Sequence, residues 1–133
     1  MLNPFPELLF LSLFAPLFLR FGIGLTLFFT SFDQLVEKRS QATERFVSLW
    51  PKYGYKLLWV VGVSEIIIGL AFVAGFFVQY FATLTAIVSF TAIFSNKFQK
   101  ATYRHMTFYV LTFVISLSLL VTGAGKFAMD TPL

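Results

Sequence analysis

The stretch LLWVVGVSEIIIGLAFVAGFFV, residues 57–78, decides the fold. It holds 22 residues and one charge, Glu65. About 20 apolar residues cover the hydrocarbon core of a bilayer, so the stretch reads as a membrane-spanning helix. Three further apolar segments flank it, at roughly 8–32, 80–98 and 105–123. Apolar residues make up 58% of the 133 and charged residues only 12%, and the mean hydropathy is +0.82. A soluble domain averages about 45–50% apolar and about 25% charged. Lipid as solvent lets the excess apolar side chains face outward. The expected fold is therefore all-α: a polytopic four-transmembrane-helix bundle forming one domain over 1–133, with no room left for a soluble catalytic domain.

The segments differ in ways that matter. The first carries Arg20 near its middle and Pro16 a turn earlier, where the proline should kink it. No positive side chain precedes it and it is too long for an h-region, so it is not expected to be a signal peptide. The third is the most polar, with Thr83, Thr85, Ser89, Thr91 and Ser95. Its link to the second is expected at Gln79 and Tyr80, which makes an antiparallel hairpin. One long helix through Gly75 to Gln79 is the competing reading. It would leave Gln79 in lipid.

The link 33–56 alternates charges (Glu37, Lys38, Arg39, Glu44, Arg45, Lys52) with Phe46, Val47, Leu49 and Trp50. This pattern predicts an interfacial amphipathic helix that ends near Trp50 ahead of Pro51. Trp50, Tyr53, Tyr55 and Trp59 fall where an aromatic belt lies. Lys38, Arg39, Arg45, Lys52 and Lys56 sit in the first link, and Lys97, Lys100 and Arg104 in the third. The positive-inside rule puts links 33–56 and 97–104 in the cytoplasm and both termini outside a plasma or inner membrane. The net charge of +4 thus reflects topology, and no nucleic acid is expected as a partner.

Cysteine is absent and His105 is the lone histidine. That removes disulfides, thiolate nucleophiles, Cys-ligated metals and a bis-His haem within one copy. No metal site is expected, and His105 reads as a hydrated interfacial residue. No phosphate-binding loop, HExxH or Ser-His-Asp set is present.

Arg20 and Glu65 need an explanation, because a charge at mid-bilayer costs about 2.5–3.5 kcal/mol even on insertion scales. Counting from the segment ends places Arg20 about 18 Å deep and Glu65 about 12 Å deep, a gap an extended arginine can close. An Arg20–Glu65 pair is thus expected. It is either a structural ion pair or the lining of a polar pocket that handles a headgroup, quinone, proton or anion; a protonated Glu65 with no pair is the remaining reading. Asp33, Asn96, Lys126 and Asp130 are weaker candidates near the span ends, each read first as a helix terminator, interfacial anchor or headgroup contact.

Three passages resemble the DoxX family of small four-helix membrane proteins. They are LFLRFGIGLTLFFTSFDQL (17–35), FVSLWPKYGYKLLWVVGVSEIIIGLAFVAGFF (46–77) and GAGKFAMD (123–130). The second carries Glu65 with Gly69 four residues on. The chain departs from the family where Ser31 and Asp33-Gln34 close the first helix, and its third segment has no strong match. The resemblance implies a membrane subunit of a redox-linked complex, with quinone as the cofactor to expect, none bound covalently, and membrane lipids plus a redox protein or further copies of the chain as partners. A non-catalytic subunit is expected over a self-sufficient oxidoreductase. A structural scaffold and, less favoured, a small transporter component stay open as alternatives.

Overall fold

The computed structural model describes residues 10–12, 14–102 and 104–123. Among them there are helices and no strands: α1 (Ala15–Phe32), a π-helical turn (Asp33–Glu37), α2 (Arg39–Leu49), α3 (Gly54–Ala74), α4 (Val78–Phe94), α5 (Asn96–Thr102) and α6 (Met106–Thr122). Lys126 and Asp130 lie outside the described residues.

Two antiparallel pairs make the bundle, α1 with α3 and α4 with α6. The buried stripe of α1 runs Arg20, Ile23, Gly24, Leu27, Ser31, and that of α3 runs Leu58, Gly62, Glu65, Gly69, Phe72. Both follow the three-and-four spacing of a single helix face. The pair is closest at Gly24 and Gly69. A Cβ on either glycine would lie 2.7 Å from the other's carbonyl oxygen. Small residues permit this approach, and packing rather than water drives helix pairing in lipid. The α4–α6 seam uses the same device, with Ala82, Thr85, Ala86, Ser89 and Ala92 facing Tyr109, Thr112, Ser116 and Leu119. The hydroxyls of Thr85, Thr112 and Ser116 bond carbonyls on their own helices, so these polar side chains carry no unmet donor into the seam.

The outer surface is apolar. Phe18, Phe29, Phe94 and Val121 are 57–83% exposed, as expected where lipid is the solvent. α1 with its flanking turns and α3 are each long and apolar enough to cross a membrane. α4 joins them when taken with α5, which turns away from it by 106°. α6 is apolar but one turn shorter than α3, at 17 residues against 21.

Several boundaries move. Pro16 opens α1 rather than kinking it, because at the first turn its missing N–H would have had no partner anyway. The hairpin turn falls at Gly75–Phe77, upstream of Gln79–Tyr80, and the single-long-helix reading does not hold. Gly75 takes φ +78° and the N–H groups of Gly75 and Phe76 both return to Ala71 O, which closes α3 with a left-handed cap. The third segment does not run to residue 98 as one helix. Ser95 is extended (φ −104°, ψ 96°). Gln99 Nε2 then donates to the carbonyls of Ala92 and Ile93, both at 3.0 Å.

α2 is the helix anticipated in the first link, and it ends at Leu49 with Trp50 as its cap. It packs on α3 and α5, so it lies across one end of the bundle. Ala42, Phe46, Leu58, Leu35 and Ala101 form a buried cluster there. Gly54 makes it close, since a Cβ would strike Phe46 O at 2.4 Å.

Candidate functional site

The capped end encloses a polar cluster built from α1, the π-turn, α3 and the α5–α6 link. Glu65 is at its centre, 9% exposed. Arg104 forks onto it, Nη1 to Oε1 at 2.7 Å and Nη2 to Oε2 at 2.9 Å. The Ser31 hydroxyl donates to the same Oε2. Arg104 Nη2 also reaches Gln34 Oε1 at 3.5 Å, and the guanidinium lies over the Phe108 ring, 5.0 Å from its centroid. Two-point guanidinium–carboxylate bonding is the strongest pairing available to Glu65. Burial works against the Arg104 charge, yet the adjacent Glu65 carboxylate more than offsets it, and the guanidinium pKa stands above its ordinary value. Beside the pair, Thr102 and Tyr109 share a hydroxyl–hydroxyl bond.

Local structure explains the convergence. The π-turn sends Lys38 N–H back to Asp33 O, one residue beyond α-helical spacing. The widened turn buries both Gln34 and Leu35 and continues the inward stripe of α1. Leu35 fills the space a Cβ on Gly62 would occupy. On the other side, α5 turns back over the bundle end and delivers Arg104 to Glu65 from 39 residues away in sequence.

The expected Arg20–Glu65 pair is replaced. Glu65 takes Arg104, and Arg20, 1% exposed, donates from Nε to Phe72 O at 3.1 Å. The depth count that favoured the pair stopped the first helix at Phe32. The π-turn carries it to Glu37, and α3 begins at Gly54 rather than Leu57. Counted from those ends Arg20 is about 25 Å deep and Glu65 about 16 Å. The remaining gap matches the seven residues between Glu65 and Phe72.

The weaker candidates separate. Asp33 is half-buried within the π-turn, next to the cluster, and its side chain takes no part in the hydrogen bonds around Glu65 described above. Asn96 is exposed at the start of α5. His105 is exposed at the N-cap of α6, and among the described residues no group of three His, Cys, Asp or Glu could hold a metal. Sequence reading missed Arg104 and underrated Ser31 and Gln34. The available signal was the choice of arginine at the end of a link otherwise furnished with lysines, opposite a lone buried acid.

Chemically the cluster is neutral and crowded with donors. Both oxygens of Glu65 are engaged by Ser31 and Arg104, so the carboxylate is a joint in the packing and is not presented to a further group as a free base. The arrangement ties three helices together at one end of an apolar bundle.

A family model described as DoxX matches residues 15–97, which takes in α1 to α4 with Arg20, Ser31, Gln34 and Glu65. Arg104 lies beyond the matched part. No curated protein and no solved structure matches the chain. With more than half of its length matched, the chain belongs to the DoxX family of membrane proteins.

Proposed function

We propose that the chain is an integral membrane subunit of a redox-linked, quinone-using assembly, crossing the membrane four times and leaving electron transfer to its partners. The carrying observation is the buried Glu65–Arg104 cluster with Ser31 and Gln34 inside an otherwise apolar bundle. A charged pair is costly to keep there and marks a place under functional or architectural demand. The lack of cysteine and the single histidine support partners, not this chain, as the holders of redox groups. In this reading the α2–α5 end faces the cytoplasm of a plasma or inner membrane and the termini face outward, in line with the basic links.

The test is purification of the tagged full chain in mild detergent, with mass spectrometry of co-purifying proteins and extraction of lipids and quinones. A stoichiometric redox enzyme or a retained quinone is the expected outcome. A lone oligomer carrying phospholipid only would overturn the redox assignment.

A second reading has its own support. Glu65 already accepts from Ser31 and from both Arg104 Nη atoms, which is what a purely architectural pair requires. Under it the chain is a scaffold, and cellular function survives replacement of the pair by well-packed apolar residues.

A further inference from the structure

Gln34 is 6% exposed, and among the described residues its Nε2 has no hydrogen-bond partner. Buried amide nitrogens are rarely left so. Its orientation is imposed by its neighbour. Arg104 is a donor only, so the amide must turn Oε1 toward Nη2. The two N–H groups of Nε2 then point away from the guanidinium into the interior. Flipping the amide would set donor against donor. Glu65 does not quench them: its oxygens accept from Ser31 and Arg104, and Nε2 makes no hydrogen bond to either of them.

We propose that Gln34 Nε2, beside the Glu65–Arg104 pair, forms an occluded site for one uncharged hydrogen-bond acceptor oxygen. Charge decides the class. The pair is already neutral, so an arriving anion would meet the Glu65 carboxylate and lose its hydration for no net countercharge. A cation would meet the N–H groups of Gln34 and the Arg104 guanidinium. A neutral oxygen has neither penalty and completes the unpaired amide. Two sources share this chemistry: a buried water, and a carbonyl or ether oxygen of a lipid-soluble molecule. They differ in one respect, since a water can also donate to a lone pair left on Glu65 or Ser31. The inference stands on the amide alone and does not need the redox reading.

The chain has four glutamines, at 34, 41, 79 and 99, so side-chain 15N labelling of glutamine in the full chain in nanodiscs gives a readable spectrum. Gln34→Met assigns the resonance by its loss. If that variant does not accumulate, Gln41→Met, Gln79→Met and Gln99→Met assign it by elimination. The expected result is a downfield, exchange-protected Gln34 amide with one of two signatures. A long-lived cross-peak to water identifies water. No water cross-peak, with a shift after exhaustive delipidation, identifies a lipid-soluble acceptor. An upfield amide with no cross-peak, unchanged by delipidation, is an empty site and overturns the proposal. So does a Gln34 signal that moves on titration with inorganic phosphate, which would mark an anion site instead.

Discussion

Arg104 grips Glu65 through both Nη atoms, at 2.7 and 2.9 Å, and so fastens the α5–α6 link to the middle of α3. With this fork, Ala101 in the α2 cluster and the side-chain bonds of Gln99 and Thr102 hold the short helix α5, turned 106° from α4, across the bundle end. The ion pair is therefore the joint between the two helix pairs at their capped end.

Removing one partner should cost far more than removing both. Arg104→Leu or Glu65→Leu leaves a buried charge uncompensated, an expected loss of about 3–5 kcal/mol. The double variant should recover most of it, giving a strong coupling in a double-mutant cycle followed by denaturation in detergent. Arg20→Leu combined with Glu65→Leu should be additive to about 0.5 kcal/mol, because Arg20 bonds Phe72 O instead. Coupling of Arg20 with Glu65 that matched the Arg104 value would contradict the observed pairing.

The close crossing of α1 and α3 makes a second contrast. Gly24→Ala drives a methyl to 2.7 Å from Gly69 O, a backbone atom that cannot swing aside. An overpacking cost of about 1–3 kcal/mol is expected. Two residues earlier, Gly22 has nothing within 4 Å of where its Cβ would be. Gly22→Ala should be neutral or stabilising by up to about 1 kcal/mol through helix propensity. Thermal midpoints of the two variants measured side by side decide this. Equal effects would mean the helices do not meet at Gly24.

Much of the fold was legible because lipid burial leaves a coarse signal. The residues 57–78 announce α3, and the alternation of Arg45, Phe46 and Val47 announces α2. Boundaries were harder. Nothing in DQLVE signals a π-turn, yet that turn moves the end of the first helix past Phe32 and undoes the depth argument for Arg20. Glu65 stood out as a lone acid in a span. Arg104 did not, because among Lys97 and Lys100 it reads as one more topogenic charge. Only the break at Ser95 and the return of α5 bring it inward, and non-local packing of that kind has no periodicity to read. Gln34 was seen as the polar end of a helix, when the π-turn rotates it into the core.

The α3–α4 turn depends on one left-handed glycine. At φ +78° a side chain meets the backbone, so Gly75→Ala should cost about 1–2 kcal/mol. Phe77 takes φ +45° without being glycine. Phe77→Asn places at that position a residue that tolerates the left-handed region and can cap α4, with an expected gain of up to about 1 kcal/mol. Opposite signs at two positions two residues apart are the diagnostic. A stabilising Gly75→Ala would show that the turn has another geometry.

The absence of cysteine makes the orientation directly measurable. Lys52 and Lys97 are both exposed, one in the link before α3 and the other at the start of α5. In a four-span arrangement these positions share a side, since an even number of crossings separates them. A single cysteine at either position, Lys52→Cys or Lys97→Cys, should react with a membrane-impermeant maleimide only in inverted vesicles, where the cytoplasmic face is outward. Gln79→Cys, exposed at the start of α4 beyond the hairpin turn, should react only from the opposite side. The physical reason is the distribution of Lys and Arg, which resist translocation where they are concentrated. Labelling of Lys52→Cys and Gln79→Cys from one side would mean that α3 does not cross. Labelling of Lys52→Cys and Lys97→Cys from opposite sides would mean that α3 and α4 do not cross as a pair, and would leave the α4–α5 bend as a re-entrant element instead of a completed span.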